Sequence, residues 1–273
     1  MSSAVRELPV VEMHGTHNDF VVVDERATDG ISYAELARRL CDRGLDVGAD
    51  GLLVVGEPAP GIEAFATMRI FNADGSEAEM CGNGMRCVAR YLVERGAPNA
   101  FAVATLAGPI GVEVLSQTPE YLVRVEAGMP AVENGGAERT LETAGRSWKY
   151  RAVSLGNPHI VIFVDDVGAV DVAAAGAALA THRDFPYGTN VHFAQSRDRH
   201  RIRVRHFERG VGVTQSCGTG SIAAAVAAIV AGVADSPVTV EVPGGTLVVE
   251  WRSGAPATLT GPVEKVRERT LEL

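Results

Sequence analysis

The chain has 273 residues, 46% of them hydrophobic, and a formal net charge of −9 at pH 7. This length accommodates two domains of ordinary size, each with a hydrophobic core. The mean hydropathy of +0.08 is typical of a globular protein, and the acidic balance argues against a nucleic-acid partner, because nucleic acids attract basic surfaces.

Membrane-spanning and secreted proteins are also disfavoured. The longest apolar run, Ile222 to Val233, is shorter than a bilayer span of about 20 residues. Met1 to Val10 lacks the charged start and apolar core of a signal peptide. We therefore expect a cytoplasmic protein with no membrane partner.

Cofactor and metal signatures are weak. The four cysteines include no Cys-x-x-Cys pair, which argues against a disulfide framework and a zinc ribbon. The only lysines, Lys149 and Lys265, lie outside Gly-rich segments and are poor candidates for the Schiff base of pyridoxal phosphate. Gly210-Val-Gly212 lacks the third glycine of a nucleotide-binding fingerprint. No cofactor and no metal are expected.

The predicted strands are short apolar runs bounded by turn residues. In chain order they are Val10–Met13, Phe20–Asp24, Gly51–Val55, Ala66–Phe71, a strand near Val153, a strand ending at Val164, Val191–Ala194 and Ile202–Phe207.

Helices are predicted between these strands. Ser32 and Glu35 form a capping box for a helix that runs to about Cys41. Another helix spans the periodic residues Met85 to Leu92 and ends at Gly96, and a third covers Asp171–Ala180.

The chain contains an internal duplication. Cys81-Gly82-Asn83-Gly84 recurs half a chain later as Cys217-Gly218-Thr219-Gly220, and the preceding residues match as Arg69/Arg205 and Phe71/Phe207. A Gly-containing hairpin follows each turn, at Val103–Val114 and Val240–Trp251. One repeat of half the chain indicates two similar lobes. We predict an N-terminal lobe of residues 1–117, onto which a tail of 263–273 packs back, and a C-terminal lobe of residues 118–262.

The helices after the cysteine turns indicate the architecture of each lobe. Ser221 to Val233 is apolar on all faces, which predicts a helix buried on every side. The predicted fold is therefore α/β (α+β), with two pseudo-symmetric lobes, each a curled, mostly antiparallel β-sheet or barrel around a central helix.

The cysteine turns suit acid–base chemistry. A helix N-terminus lowers the pKa of a thiol, because free N–H groups and the positive end of the helix dipole face the sulfur. The same N–H groups can bind a carboxylate, and Gly82 and Gly218 allow a ligand to approach the backbone. Two such turns on one ligand would supply a base and an acid to opposite faces of a carbon, which is the requirement for inversion at a stereocentre.

Simpler interpretations remain open. Free cysteines are commonly buried core residues, and we assign this role to Cys41 and Cys87, which stand in helical runs. A zinc site formed by Cys81, Cys217, His14 and His159 is conceivable but lacks finger spacing.

The sequence resembles the diaminopimelate epimerase family, whose members are cofactor-independent epimerases with two cysteines. The resemblance covers nearly the whole chain and rests on motifs in the family's order: His14-Gly15, Asn18-Asp19-Phe20, Gly48-Ala49-Asp50-Gly51, Phe71-Asn72-Ala73-Asp74-Gly75-Ser76-Glu77, Cys81-Gly82-Asn83-Gly84, Arg86-Cys87, Gly156-Asn157-Pro158-His159, Gly188-Thr189-Asn190-Val191, Glu208-Arg209-Gly210 and Cys217-Gly218-Thr219-Gly220.

The resemblance implies the family's two-lobed fold with an amino-acid substrate between the lobes. It implies that Cys81 and Cys217 are the acid–base pair and that His159 and Glu208 assist proton transfer. The substrate-binding residues that it implies, including the carboxylate-binding turns, are Asn18, Asn72, Gly82, Asn83, Asn157, Asn190, Glu208, Arg209, Gly218 and Thr219. A homodimer is a candidate assembly.

Alternatives to these roles come from the residues themselves. The Asn residues that precede strands are also common turn residues, His14 and His159 could be core histidines, and Glu208-Arg209 could be a solvated pair. The chain departs from the family pattern at four positions: His17, Tyr187, His192 and Val213. The expected reaction interconverts LL- and meso-2,6-diaminopimelate. The alternatives are a racemase of another amino acid such as histidine, a non-racemising isomerase of similar fold, and a protein that only binds an amino acid.

Overall fold

The computed structural model of the protein describes residues 7–45, 47–143 and 145–273. The chain divides into two compact units. Unit 1 is the described part of Met1–Val125 together with Gly261–Leu273, and unit 2 is the described part of Glu126–Thr260. Each unit has its own central helix and its own buried core.

Unit 1 contains nine strands and two α-helices within its described residues. They are β1 (Glu7–His14), β2 (Asp19–Asp24), α1 (Tyr33–Cys41), β3 (Gly51–Gly56), β4 (Ala66–Asn72), β5 (Glu77–Ala78), α2 (Gly82–Val93), β6 (Ala100–Thr105), β7 (Gly108–Ser116), β8 (Leu122–Glu126) and the C-terminal β19 (Glu264–Glu272).

The sheet of unit 1 is mostly antiparallel. Its strands are paired in the order β19-β1-β2-β3-β4-β6-β7-β8, with the short β5 also paired to β4. Only β2/β3 and β4/β6 are parallel among these pairs, and each parallel pair is joined by a segment that contains a helix. Strand β8 begins after residue 117 and pairs with β7, and β19 pairs with β1.

Helix α2 lies in the core of unit 1. Met85, Cys87, Val88 and Ala89 are fully buried and pack in one cluster with apolar side chains of the sheet. The helix ends before Gly96, which has a φ of +96° that glycine adopts without a steric penalty. Helix α1 packs on a separate cluster, and its N-cap Ser32 accepts a hydrogen bond from the N–H of Glu35, as the capping box predicts.

Unit 2 contains ten strands and two α-helices within its described residues. They are β9 (Ala131–Val132), β10 (Arg139–Thr143), β11 (Arg146–Ser154), β12 (Pro158–Phe163), α3 (Val172–Ala180), β13 (Asn190–Asp198), β14 (Arg201–Glu208), β15 (Gly212–Thr214), α4 (Gly218–Val230), β16 (Val238–Val242), β17 (Gly245–Glu250) and β18 (Thr258–Pro262), whose last two residues belong to unit 1.

The sheet of unit 2 repeats the topology of unit 1. The order β11-β12-β13-β14-β16-β17-β18 has parallel pairs only at β12/β13 and β14/β16. These pairs correspond to β2/β3 and β4/β6, so the duplication in the sequence is a duplication of strand pairing. Within the described ranges, the strand pairing of neither unit closes into a barrel.

Helix α4 fills the core of unit 2. Ten of its residues, from Gly218 to Ala228, are buried, and the helix packs against strands β11 to β14, β16 and β17. Because most of these side chains are alanine, the sheet approaches the helix closely on several sides. The predicted helix with all faces buried is confirmed, as is the predicted α/β fold with a central helix in each half.

Candidate active site

Each predicted cysteine is the N-cap of a central helix. Cys81 precedes α2 and Cys217 precedes α4, both with extended backbone conformations. The first N–H groups of a helix have no partner within the helix. Gly82 and Asn83 supply such groups beside Cys81, and Gly218 and Thr219 supply them beside Cys217. The geometry of both turns is therefore suited to an anionic group.

The turn in unit 1 is connected to Asn18 by its side chains. Asn18 Oδ1 accepts a hydrogen bond from Asn83 Nδ2 at 3.2 Å and lies 4.0 Å from Cys81 Sγ. Asn18 Nδ2 donates to Asp50 Oδ2 at 3.0 Å, and Arg43 binds the other oxygen of Asp50. Asp50 therefore fixes the orientation of the Asn18 amide.

A buried arginine lies beneath this turn. Arg86 is fully buried and donates to Asn83 Oδ1 at 3.0 Å, to Thr16 Oγ1 at 3.2 Å and to the carbonyl oxygen of Pro262 at 3.2 Å. These acceptors are all neutral oxygens. Burial lowers the pKa of Arg86 to about 10, and negative charge on the sulfur of Cys87 or Cys81 opposes this decrease. The guanidinium is thus a local positive charge that favours an anion near Cys81.

Asn72 lies at the end of β4 and is exposed. Its Nδ2 donates to Ser76 Oγ at 2.9 Å, and its backbone N–H donates to the Ser76 carbonyl. These hydrogen bonds stabilise the turn between β4 and β5. They give Asn72 the turn role that asparagine often has, while its predicted contact with substrate stays a prediction.

Cys217 is paired with a carboxylate. Its Sγ donates to Glu208 Oε2 at 3.1 Å, and Glu208 Oε1 accepts a 2.6 Å hydrogen bond from Thr214 Oγ1. The N–H of Gly220 donates to the sulfur at 3.3 Å, and Thr219 Oγ1 lies 3.7 Å from it. Glu208 is therefore held by two side chains within reach of the Cys217 proton.

The pKa of Cys217 differs from the sequence-based expectation. Burial raises its pKa well above the usual thiol value, the negative charge of Glu208 and the hydrogen bond to Glu208 raise it further, and the contacts with Gly220 and Thr219 lower it. The predicted effect of the helix N-terminus is present but smaller than burial and the carboxylate. Cys217 is accordingly a thiol near neutral pH.

Asn190 and Arg209 form a second group in unit 2. Asn190 Oδ1 accepts from the backbone N–H of Arg209 at 3.0 Å, and its Nδ2 donates to the Pro158 carbonyl at 3.0 Å. The Arg209 guanidinium is exposed and donates from Nη1 to the Tyr187 carbonyl at 2.8 Å. Glu208 and Arg209 thus have different hydrogen-bond partners, and the guanidinium is held at one end.

Asn157 and His159 are joined by a 2.9 Å hydrogen bond between Asn157 Oδ1 and His159 Nε2. His159 is 1% exposed, and its Nδ1 lies 2.8 Å from His192 Nε2. Burial, together with the positive charge of Arg209, lowers the pKa of His159 to about 3. Both ring nitrogens have partners and the ring is neutral, so its predicted part in proton transfer stays a prediction.

The sequence analysis missed several residues of these groups. Arg86 was quoted in a motif but received no role, although a charged residue within the apolar run of α2 was a usable signal. Asp50 and Thr214 gave no such signal, because carboxylates and hydroxyls are common in turns. His206 shares its face of β14 with the buried Ile202 and Val204, and His192 shares its face of β13 with the buried Ala194, which marks both rings as inward-facing.

The described residues contain neither a metal-binding cluster nor a membrane-spanning helix. Among the described residues, no group of three or more His, Cys, Asp or Glu side chains is arranged to hold a metal ion. His14, one of the four zinc candidates, lies 3.5 Å from Glu264. No helix in the described part of the chain is long and apolar enough to cross a membrane.

The sequence profile of the diaminopimelate epimerase family matches residues 10–132 and 151–266. The chain belongs to this family. It is 44% identical over 268 residues to the diaminopimelate epimerase of Pelotomaculum thermopropionicum, covering 93% of this chain and 95% of the relative. It is 41% identical over 280 residues to that of Synechococcus elongatus, covering 97% and 99%. The predicted family and the predicted class of enzyme, an isomerase, are confirmed.

Solved structures with lower sequence identity share the fold. A PhzF-family phenazine biosynthesis protein from Bacillus anthracis matches with a TM-score of 0.73 at 17% identity, covering 98% of this chain and 99% of that chain. A hydroxyproline epimerase from Agrobacterium vitis, solved with bound trans-4-hydroxy-L-proline, matches with a TM-score of 0.71 at 18% identity, covering 98% and 92%. This chain therefore shares its fold with both a hydroxyproline epimerase and a PhzF-family protein.

Proposed function

We propose that this protein interconverts LL- and meso-2,6-diaminopimelate by moving a proton at one α-carbon between two cysteines, without a cofactor. The main support is the pair of cysteine N-caps in a chain that belongs to the diaminopimelate epimerase family. The chemical surroundings of the two sulfurs are opposite, which suits one base and one acid.

In the proposed mechanism, Cys81 starts as a thiolate and Cys217 as a thiol. The buried Arg86 guanidinium favours negative charge at Cys81, and Cys217 holds its proton towards Glu208. The Cys81 thiolate takes the α-proton, and the electron pair of the broken C–H bond moves towards the substrate carboxylate. The Cys217 thiol then delivers its proton to the other face of the carbon. Cys81 ends as a thiol and Cys217 as a thiolate, and the reverse reaction exchanges these roles.

The carbanion-like intermediate needs electrostatic stabilisation. Fixed N–H dipoles aimed at developing charge usually make the largest contribution to this kind of catalysis. In the proposal, the N–H groups at Gly82, Asn83, Gly218 and Thr219 bind the reacting carboxylate. Arg209, whose guanidinium is held at one end by the Tyr187 carbonyl, binds the distal carboxylate.

The test is proton NMR of LL-diaminopimelate with the protein and a reductant in D2O. We expect the α-proton signal to disappear and meso product to form. Loss of either thiol, in Cys81→Ala or Cys217→Ala, should reduce inversion at least about 10³-fold, within the range for general acid–base groups. Substrate binding, measured by calorimetry, should persist in both variants.

A matched control is Cys41→Ala. Cys41 is buried in α1, and burial raises its pKa to about 11. We expect this variant to retain full activity. Exchange only with another amino acid, such as L-histidine, would instead establish a racemase of that amino acid. Binding without exchange of any amino acid would establish a binding protein.

The wider setting is also part of the proposal. The reaction would supply precursors for lysine and for peptidoglycan. The cytoplasmic location stays a prediction that cell fractionation tests, and the homodimer stays one that analytical ultracentrifugation tests.

A further inference from the structure

Three buried histidines of unit 2 form a continuous line of hydrogen bonds. His159 Nδ1 lies 2.8 Å from His192 Nε2, and His192 Nδ1 lies 2.9 Å from His206 Nδ1. The line ends at Asn157 Oδ1, 2.9 Å from His159 Nε2, and at Ser221 Oγ, 3.5 Å from His206 Nε2. We call these five residues the imidazole chain. The family resemblance implies roles for His159 and Asn157 but for none of the other three residues.

The strands of unit 2 bring the imidazole chain together. His159 is on β12, His192 on β13 and His206 on β14, and His192 lies directly opposite His206 in the antiparallel pair. The three rings are at most 1% exposed. They face the first turn of α4, where Ser221 completes the line. The imidazole chain thus connects helix α4, whose N-cap is Cys217, with Asn157.

Helix α4 is fitted to this line of rings. A Cβ atom at Gly220 would lie 2.4 Å from His192 Cε1, which is closer than atoms can approach. Gly220 is also the residue whose N–H donates to Cys217 Sγ. Glycine is therefore required at position 220, because the helix approaches the His192 ring closely at the same residue that contacts Cys217.

The hydrogen-bond inventory assigns every proton of the imidazole chain. Asn157 Oδ1 can only accept, so His159 donates from Nε2 and its Nδ1 must accept. His192 then donates from Nε2 and accepts at Nδ1, so His206 donates from Nδ1. The Nε2 atom of His206 accepts from the Ser221 hydroxyl. Every bond is satisfied with three neutral rings, and all donors point from Ser221 towards Asn157.

We propose that His192, His206 and Ser221 are positioning residues that hold His159 as the neutral Nε2–H tautomer and thereby orient the Asn157 amide towards the substrate. This inference rests on the proposed function and on the substrate-binding role that the family resemblance implies for Asn157. With Oδ1 held by His159, the Nδ2 group of Asn157 faces away from the ring, and its two N–H groups can donate to a carboxylate. The family-atypical His192 is then a part of substrate binding in this protein.

Burial supports the neutral state of the imidazole chain. It lowers the pKa of His159 and of His206 to about 3 and that of His192 well below its usual value, and charges on neighbouring groups of unit 2 add to each decrease. A buried polar line of this kind is stable only if every member has a partner. Replacement of one ring by an apolar side chain would leave the neighbouring rings without a hydrogen-bond partner or shift them to the other tautomer.

The direct test is long-range ¹H–¹⁵N NMR of the wild-type protein labelled with ¹⁵N-histidine, which distinguishes the two tautomers and the cation. We expect Nδ1–H for His206 and Nε2–H for His192 and His159 at neutral pH. A reversed set, with Asn157 donating to His159, would overturn the proposal, as would a protonated ring. This measurement needs neither substrate nor a variant.

The second test is a pair of variants at residue 192. His192→Gln keeps an amide donor near the position of Nε2, whereas the unbranched His192→Met fills similar space without a donor. We expect His192→Met to raise KM about tenfold with a much smaller change in kcat, as for loss of a residue that orients a ligand-binding group. His192→Gln should retain most of the affinity. Equal KM values in the two variants would reduce His192 to a packing residue and overturn the inference.

A histidine outside the line provides the control. His200 lies in the turn between β13 and β14 and contacts the carbonyls of Asp235 and Pro237. His200→Gln should change neither KM nor the three tautomers. Wild-type protein that shows the expected tautomers but no exchange of diaminopimelate would contradict the proposed function alone. Active protein with other tautomers would contradict only this inference.

Discussion

The two cysteine turns have the same backbone and opposite electrostatics. In unit 1, Cys81 lies above a buried guanidinium whose hydrogen bonds go to neutral oxygens. In unit 2, Cys217 donates to a carboxylate that Thr214 holds in place. Duplication supplied two equivalent helix N-termini, and the side chains around them differ. At Cys217, burial and the nearest charge therefore have a larger effect on the pKa of the thiol than the helix N-terminus does.

Among changes that keep both cysteines, the largest effect is expected from removing the Glu208 carboxylate in unit 2. Glu208→Gln keeps the shape of the side chain but removes its charge. In the wild-type protein this charge raises the pKa of Cys217, and burial raises it more. The pKa of Cys217 should fall in this variant, measured as a shift of its alkylation by iodoacetamide to lower pH. We expect kcat to decrease at least about 10²-fold, because the charged group that holds and orients the Cys217 thiol is lost.

Glu241→Gln is the matched control for this change. Glu241 forms ion pairs with Arg201 and Arg203 on the surface of unit 2. We expect its replacement to leave kcat and the alkylation profile of Cys217 unchanged. An unshifted profile in Glu208→Gln would refute the assignment of the carboxylate as the cause.

A second change removes the positive charge of unit 1. In Arg86→Met, the charge that favours a Cys81 thiolate is lost, whereas Arg86→Lys retains it. A loss of about 1.4 kcal/mol of charge interaction with the thiolate corresponds to about a tenfold smaller thiolate population. We therefore expect alkylation of Cys81 at pH 7 to slow about tenfold in Arg86→Met.

Mass spectrometry of each alkylated peptide measures this rate. Arg86→Lys should retain most of the wild-type rate, and Cys217 should be unaffected by either change. Equal rates in Arg86→Met and wild type would mean that the guanidinium has only a structural role.

The buried histidines of unit 2 should make the folded protein less stable at acidic pH. Burial lowers the pKa values of His159 and His206 from 6.5 to about 3, so the unfolded chain binds more protons than the folded protein between these values. The free energy of unfolding is therefore expected to be unaffected by these residues above pH 6.5 and to fall as the pH decreases below it. Each buried histidine contributes a slope of about 1.4 kcal/mol per pH unit.

Urea unfolding at a series of pH values between 4 and 7 measures this slope. His206→Gln removes one titrating ring and should make the slope shallower by about the contribution of one histidine. The same slope in wild type and His206→Gln would show that the ring is not neutral in the folded protein.

The sequence predicted the common features of the two turns better than their differences. The duplicated Cys-Gly pattern and the apolar run after Cys217 gave both N-caps and the buried helix α4, because these depend on local sequence and burial. Arg86 meets Thr16 and the Pro262 carbonyl only through folding, and His159 meets His192 and His206 only through strand pairing. Such contacts between residues that are distant in the sequence determine the pKa values. The pKa of Cys217 is therefore raised, although its position at a helix N-terminus predicted a decrease.

The smallest effect is expected at a departure from the family pattern that lies outside both turns. The Tyr187 side chain is 87% exposed, and the group that binds Arg209 is its backbone carbonyl. Tyr187→Ala retains this carbonyl, so we expect a change within about 0.5 kcal/mol in the free energy of unfolding and an unchanged KM for diaminopimelate. The measurements are urea unfolding and initial rates. A KM that rises several-fold would instead assign the Tyr187 ring to substrate binding. The difference between the two units would then affect the choice of amino acid as well as the protonation of the two thiols.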